Sequence, residues 1–310
     1  MNIYDSVIIG GGPAGLTAGI YCGRAMMKTL LLETYSVPNQ VVLTDEIENY
    51  PGFPEGINGF DLIEKMKNQV KKFNIEISEG LVTGLKKNGK LWQVKTENST
   101  YETYSVIAGA GAKARELGIP GEKEFRGKGV SYCAVCDGAF FRNKSVAVIG
   151  GGDTAVQEAI YLTRYASRVF LLHRRDTLRA QKILQAQAFA NKKIEFIWNA
   201  VPEKITGSQT VTALVYNKTD RPETMNLALD GVFIFIGFSP NTAFLSGVIS
   251  CDQDGWAIAD QRMQTSEAGI FICGDVRAGS YRQIIIACGD GAAASLSAEH
   301  YVSKIKGPAA

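Results

Sequence analysis

The chain has 310 residues, 45% of them hydrophobic and 21% charged, which is enough for about two ordinary domains with real cores and too apolar for wholesale disorder. Its 33 lysines and arginines against 31 aspartates and glutamates leave a net charge of +2, spread along the chain, and exclude a surface built for a nucleic-acid backbone. Six cysteines are too few for a disulfide scaffold, and the N-terminus has no basic region followed by an apolar stretch and cleavage site, so a reducing, cytoplasmic compartment is expected.

Glycine is over-represented: 33 copies are about one residue in nine, against a typical roughly 7%, and without a collagen-like period they belong to turns and close backbone approaches. The first of these turns follows a short apolar run. SVIIGGGPAGLTAGIYCGRA reads as strand, turn and helix, with Gly10, Gly12 and Gly15 in the three small-residue positions. GxGxxG alone is a weak signal; in this setting it predicts a helix N-terminus that holds a dinucleotide pyrophosphate. Residues 61–73 place Leu62, Met66, Val70 and Phe73 on one helical face, and Asn88-Gly89 separates two strand-like runs ending near Thr96. The basic cluster Lys86, Lys87 and Lys90 is the solvated tip of that hairpin. A strand over 104–108 and a turn-forming stretch over 111–121 close this part.

The motif then returns, displaced by 140 residues, in SVAVIGGGDTAVQEAIYLTRYA, with Gly150, Gly152 and Ala155 at the small positions and Ile160, Tyr161 and Arg164 matching Ile20, Tyr21 and Arg24. A strand over 232–236 leads into a turn at 237–241. The uncharged stretch 231–251 has Ser239, Pro240, Asn241 and Thr242 at its centre, so it reads as a strand, a turn and a second short element rather than a membrane span. The tail from 242, with FICGD and a small-residue helix from Ile284, completes the first domain. The expected fold is α/β, with two Rossmann-like dinucleotide-binding domains, the second (115–241) inserted into the first (1–114 and 242–310).

The residue that ends the second strand of such a unit meets the adenosine ribose. In the first unit it is Glu33, whose carboxylate accepts from free ribose hydroxyls and repels an added phosphate. In the second it is His173, followed by Arg174, Arg175 and, one turn on, Arg179. Three guanidinium groups together ask for an anion, and their forks suit phosphate oxygens. FAD in the first site and NADPH in the second are therefore expected; the alternatives are a surface carboxylate at Glu33 and a solvated strand end at the arginines.

Cys133-Ala134-Val135-Cys136-Asp137 is the chemical centre. Tetrahedral zinc needs four ligands, and the chain has two histidines and no second CxxC, so no metal is expected; a pair of buried thiols remains open, and a reversible disulfide is the preferred reading. Asp137 is then a candidate proton donor. The dithiol lies 14 residues before Gly150, on the NADPH side, so nicotinamide and dithiol are expected to approach a flavin in the other domain in turn, which would require domain rotation. Cys22, Cys251, Cys273 and Cys288 read as structural.

The motifs GGGPAGLTAGIY, ENYPGFP, CAVCDG, GGGDTAVQEA, HRRDTLRA, FICGDV and YRQIIIACGDGAAAS together resemble the bacterial-type, low-molecular-weight thioredoxin reductases over nearly the whole chain, from Asp5 to about Lys304. The resemblance implies a homodimeric FAD enzyme that uses NADPH to reduce thioredoxin. It assigns Cys136 to the flavin side, Cys133 to attack on the partner and Asp137 to proton donation. It implies Gly12, Pro13, Ala14, Glu33, Gln40, Asn49, Asp275, Arg282, Gln283 and Ile284 at the FAD site, with Gly10 and Gly15 shaping its turn. For NADPH it implies Gly152, Asp153, Thr154, Arg174, Arg175 and Arg179. Lys128, Phe140 and Phe141 flank the dithiol as docking candidates, with core packing the alternative for the phenylalanines. The chain departs from the family pattern at Pro38-Asn39-Gln40, where Gly-Gly-Gln is usual, at Gly109-Ala110-Gly111-Ala112, where Ala-Thr-Gly-Ala is usual, and at Val135, where threonine is common. Rival readings are a reductase for another disulfide, a ferredoxin-dependent relative, which the three arginines argue against, and a non-catalytic nucleotide-binding redox sensor.

Overall fold

Apolar runs without polar alternation become parallel strands here, because a strand covered on both faces has no solvent side for a polar residue. The structure is a computed structural model that describes residues 3–35, 39–44 and 47–307, the side chains of Leu43 and Cys136 excepted. Pro38 lies outside the described residues. Two compact units divide the chain: Met1–Lys113 with Ser239–Ala310, and Ala114–Phe238.

The first unit begins with β1 (Ile3–Ile9), α1 (Pro13–Arg24) and β2 (Thr29–Glu33), the last buried along its whole length. Next comes α2 (Gly59–Lys71), whose first turn is capped by Asn58 accepting from Phe60 N–H and whose Leu62, Ile63, Met66 and Val70 are buried. Strands β3 (Glu76–Glu79), β4 (Val82–Asn88), β5 (Leu91–Thr96) and β6 (Thr100–Ala108) follow, and the chain leaves through β7 (Ala112–Ala114).

In the second unit the order is β8 (Val130–Ser131), the short α3 (Ala134–Asp137), β9 (Ser145–Gly150), α4 (Asp153–Leu162), β10 (Arg168–Leu172), α5 (Lys182–Ala190) and β11 (Ile194–Ile197). An antiparallel meander, β12 (Ala200–Gly207), β13 (Val211–Lys218) and β14 (Thr224–Ala228), precedes β15 (Gly231–Phe235). The chain returns through β16 (Phe238–Pro240) to β17 (Ile270–Ile272) and the 23-residue α6 (Ile284–Lys306) of the first unit.

In each unit a central sheet is covered on both faces. In the first, the sheet order is β3-β2-β1-β6-β5-β4 with β17 also on β6; β1 pairs in parallel with β2 and β6, and β4-β5-β6 is antiparallel. Ile8, Leu31, Ile107 and Phe271 point to the helices α1, α2 and α6, while Val7, Leu30, Leu32, Val106 and Ile270 pack with Trp92 and Val94 on the other face. The second unit is an all-parallel sheet, β11-β10-β9-β15-β8. Val146, Val148, Val169, Leu171 and Phe233 meet Val156, Ala159 and Leu162 of α4, and Ala147, Ile149, Phe170, Leu172 and Val232 meet Ile205, Leu214 and Tyr216 of the meander. Each fully buried aliphatic side chain contributes roughly 1.5–3 kcal/mol relative to exposure. In both units the glycine turn leaves the central strand where neighbours on either side run in the same direction, the crevice at which such sheets bind ligands. Among the described residues no helix is long and apolar enough to cross a membrane.

Candidate functional site

The first glycine turn is shaped by close approach. Gly10 has φ of +110°, and a Cβ there would stand 2.3 Å from Gly109 O; one at Gly15 would stand 1.9 Å from Gly10 O. The ends of three strands meet here, since Gly10 N–H donates to Leu32 O and Gly109 N–H to Ile9 O. Gly12 caps α1 in extended conformation, with Pro13 behind it, and no side chain caps the helix. Its nearest neighbour to an added Cβ would be Asn39 Nδ2, 3.7 Å away. Space and unclaimed amides therefore coincide at Gly12, as a pyrophosphate requires.

Around this turn stand most of the residues expected for the flavin. Glu33 is buried at the end of β2, against Gly11, where a Cβ would lie 2.3 Å from its Oε2. Its Oε1 accepts from Tyr35 Oη at 2.8 Å and Lys67 Nζ at 2.9 Å. Asn39, in the position where the resemblance expects glycine, donates to Gly11 O at 3.1 Å and accepts from Val41 N–H, capping the 3-10 turn Gln40–Leu43 that carries Gln40. Asn49 donates to Gln283 Oε1 at 3.1 Å, and Gln283 in turn caps α6 just before Ile284. Burial pushes the Asp275 carboxyl above its usual range, partly offset by the Arg282 charge. Arg282 has φ of +53° and stacks 4.1 Å from the Trp256 ring centre. Asp290, buried on α6, holds this loop by accepting from Gly274 N–H and from Arg277 Nε at 3.0 Å.

The second turn repeats the geometry with other chemistry. Gly150 has φ of +153°, Gly152 caps α4 in extended conformation with no side-chain cap, and nothing lies within 4 Å of a Cβ added to Gly152. His173 takes the place of Glu33: buried at the strand end, it lies against Gly151, where a Cβ would stand 2.4 Å from its ring. Its Nε2 is sealed from solvent without a hydrogen-bond partner among the described residues. Burial, and then the charges of Arg179, Arg174 and Arg175, lower the imidazole's pKa, so it is neutral at pH 7. All three guanidinium side chains belong to exposed residues, and Arg179 N–H donates to Gly151 O at 2.7 Å, fixing that arginine beside the turn. Thr154 is exposed at the start of α4, whereas Asp153 is engaged by Gln181, through its N–H at 2.7 Å and its amide at 2.9 Å.

Cys133 is disulfide-bonded, while Cys22, Cys251, Cys273 and Cys288 are free. The Cys136 side chain lies outside the described ones. Ser131 Oγ accepts from Cys133 N–H at 3.0 Å and donates to its carbonyl, and Asp137 N–H returns to Cys133 O at 3.2 Å. Just upstream, Tyr132 donates to buried Glu122, which also accepts from the Leu117 and Gly118 N–H groups. On the other side, the Glu158 carboxyl of α4 accepts from Ala134 N–H. No group of three or more His, Cys, Asp or Glu residues able to hold a metal occurs among the described residues.

Two uncapped glycine turns at helix N-termini and a disulfide-bonded Cys133 in the second unit are the combination that a pyridine-nucleotide disulfide reductase needs. A family model described as pyridine nucleotide-disulphide oxidoreductase matches residues 4–291. The thioredoxin reductase of Listeria innocua is 47% identical over 307 residues, covering 98% of this chain and 96% of that protein. That of Bacillus subtilis is 45% identical over 308 residues, with 98% and 96% covered. The chain belongs to this family, among its thioredoxin reductases. The crystal structure of Lactococcus lactis thioredoxin reductase matches with a TM-score of 0.94 at 47% identity, covering 97% of this chain and 99% of that one. Membership brings use of a flavin and a pyridine nucleotide, and the residues present fit both.

One expectation is corrected. Phe141 is 7% exposed, lies 5.1 Å from the Phe233 ring and fills the space over Gly231, so it is core rather than docking surface. Phe140, on the same 3-10 turn, is 73% exposed, and Lys128 is exposed too. The sequence reading also missed Lys67, Glu122, Arg277, Asp290 and Glu158. Glu158 left a signal: it falls on the face of α4 that buries Ala155, Ala159 and Leu162.

Proposed function

We propose that the protein is an NADPH-dependent, FAD-containing thioredoxin reductase, acting through a Cys133–Cys136 disulfide. The observation that carries this reading is a disulfide-bonded Cys133 in the same unit as a glycine turn flanked by three arginines. Gly12 and Ala14 present uncapped N–H groups to the FAD pyrophosphate, Pro13, which has no N–H, fixes the first turn of α1, and Gly10 and Gly15 keep the glycine turn tight. Glu33 accepts from the ribose, and Gln40, Asn49, Asp275, Arg282, Gln283 and Ile284 line the rest of that site. Gly152, Asp153 and Thr154 receive the NADPH pyrophosphate, and Arg174, Arg175 and Arg179 clasp its 2′-phosphate. The flavin, when bound, supplies the two-electron relay between nicotinamide and disulfide. Once the disulfide is open, the Cys133 thiolate attacks the thioredoxin disulfide, Asp137 delivers a proton to the departing thiolate, and Cys136 resolves the mixed disulfide. Lys128 and Phe140 are proposed docking contacts, the assembly a homodimer, and the four free cysteines suit a reducing, cytoplasmic setting.

The test is direct. Purified protein should be yellow, bleach rapidly with NADPH and slowly with NADH, and reduce thioredoxin. Cys136→Ser should still bleach yet reduce no disulfide; thioredoxin turnover by that variant would overturn the assignment. Turnover of another disulfide but not thioredoxin would replace the partner while keeping the chemistry.

A further inference from the structure

Beneath the redox helix lies a carboxyl for which the reaction just described has no use. Glu158 Oε2 is sealed from solvent and has no hydrogen-bond partner among the described residues. The carboxyl accepts from the N–H of Ala134, the residue that follows Cys133 and opens α3. Cys133 is fixed to the same short stretch, by Ser131 Oγ on its N–H and by Asp137 N–H on its carbonyl. Any charge on Glu158 is thus placed against the backbone that carries the sulfur.

What could neutralise that charge is limited. The elements packed on α4 are α3, α5, β9, β10 and β15. Their titratable or charged residues are Cys136 and Asp137 of α3, Lys182 of α5 and Arg168 of β10, with Cys133 just before α3. Arg168 is bonded to Glu195. Burial dominates instead: it pushes the Glu158 carboxyl up to about 7, with only the Ala134 N–H pulling the other way. This carboxyl changes charge in the range where a reductase works.

We propose that Glu158 is a positioning residue for the dithiol, which anchors the start of the redox helix through Ala134 and whose charge sets how readily Cys133 ionises. This rests on the dithiol reading above. Opening the disulfide breaks one S–S bond and takes up two electrons, supplied by the reductase activity, and two protons that form two S–H bonds. Loss of the Cys133 proton then gives the attacking thiolate. A carboxylate at Glu158 opposes that thiolate and a neutral carboxylic acid does not, so the two groups titrate as a coupled pair. Below about pH 6 Glu158 is neutral and adds nothing against the Cys133 thiolate; above about pH 8 its charge favours the protonated thiol.

The test is the pH profile of iodoacetamide alkylation at Cys133 in reduced enzyme, followed by peptide mass mapping so that Cys136 and exposed Cys251 are scored separately. Glu158→Gln keeps an oxygen for Ala134 N–H but cannot ionise. Its Cys133 should react like the parent's at pH 6 and at least about threefold faster at pH 8, since an adjacent like charge shifts a pKa by about one unit or more. Glu158→Asp, which still ionises, should keep a slowed reaction at pH 8. Superimposable profiles for parent and Glu158→Gln overturn the proposal, as does a difference that is the same at every pH, which a merely structural role would produce. Failure of the underlying reading is separately visible: if reduction exposes no additional pair of thiols in the parent, there is no dithiol for Glu158 to serve.

Discussion

Lys67 Nζ stands 2.9 Å from Glu33 Oε1, with both side chains mostly buried where the first glycine turn meets its strand-end carboxylate. The ammonium also lies 5.4 Å from the ring centre of Tyr35, whose hydroxyl donates to the same oxygen. The carboxylate expected to receive a ribose is therefore oriented by the protein itself. Removing one partner of a buried pair leaves the other charge uncompensated, at a cost of about 3 kcal/mol. Lys67→Met should lower the unfolding temperature by roughly 5 °C or more, and adding Glu33→Gln should recover part of the loss. Thermal unfolding of the parent and the two variants decides this; an unchanged midpoint in Lys67→Met would show that the pair is stabilising nothing.

In the proposed function, specificity for the phosphorylated dinucleotide is assigned to three exposed guanidinium side chains around His173. Arg179 is the best anchored, through its backbone bond to Gly151 O. Arg179→Ala should raise KM for NADPH about ten- to a hundredfold, as expected for one lost charge-assisted contact, and leave KM for NADH nearly unchanged. Equal losses for the two nucleotides, measured by steady-state kinetics, would remove Arg179 from the 2′-phosphate site.

How much of this was legible in the sequence depended on the range of the signal. Local signals worked: the run before Gly10, the repeat at Gly150, the hairpin at Asn88-Gly89 and the helix from Ile284 each announce an element through a few adjacent residues. The β12–β14 meander was missed because its buried positions are interleaved with Pro202, Lys204 and bulges at Pro202/Lys204 and Thr206/Gly207, which blur the two-residue period. Pair partners were missed for another reason. Lys67 lies 34 residues from Glu33, and nothing in either local pattern names the other. Phe140 and Phe141 were indistinguishable as neighbours; a 3-10 turn rotates consecutive side chains by about a third of a circle, which buries one and exposes the other.

Glu158 also makes stability depend on pH in a direction opposite to most carboxyls. Its folded value of about 7 exceeds the unfolded carboxyl's roughly 4.3, so the folded state binds the proton more tightly. The resulting stabilisation is complete below about pH 4 and is lost as pH rises through 7, amounting to about 3 kcal/mol across that window. Glu158→Gln lacks this dependence. Urea unfolding at pH 5 and pH 8 should therefore show the parent losing ground to the variant by that order, and a pH-independent difference would contradict it.

The two cap glycines allow ligand binding to be separated from folding. At Gly11 a Cβ would collide with Glu33, and at Gly151 with His173, so alanine at either position disturbs the protein itself. Gly12 and Gly152 differ. Both have backbone angles open to any L-residue, φ of −85° and −92° with ψ of −179°, and neither Cβ would meet protein closer than 3.7 Å. No neighbouring side chain or backbone strain requires glycine at these two positions, and the proposed function supplies a reason for it, a phosphate lying against the helix N-terminus. Gly12→Ala should unfold near the parent's temperature when both are stripped of flavin, yet retain far less flavin on purification. Gly152→Ala should keep its flavin and spectrum while KM for NADPH rises at least about tenfold, the effect of losing roughly 1.4 kcal/mol of binding. If Gly12→Ala instead lost NADPH binding, or Gly152→Ala lost flavin, the assignment of the two cofactors to the two units would be reversed.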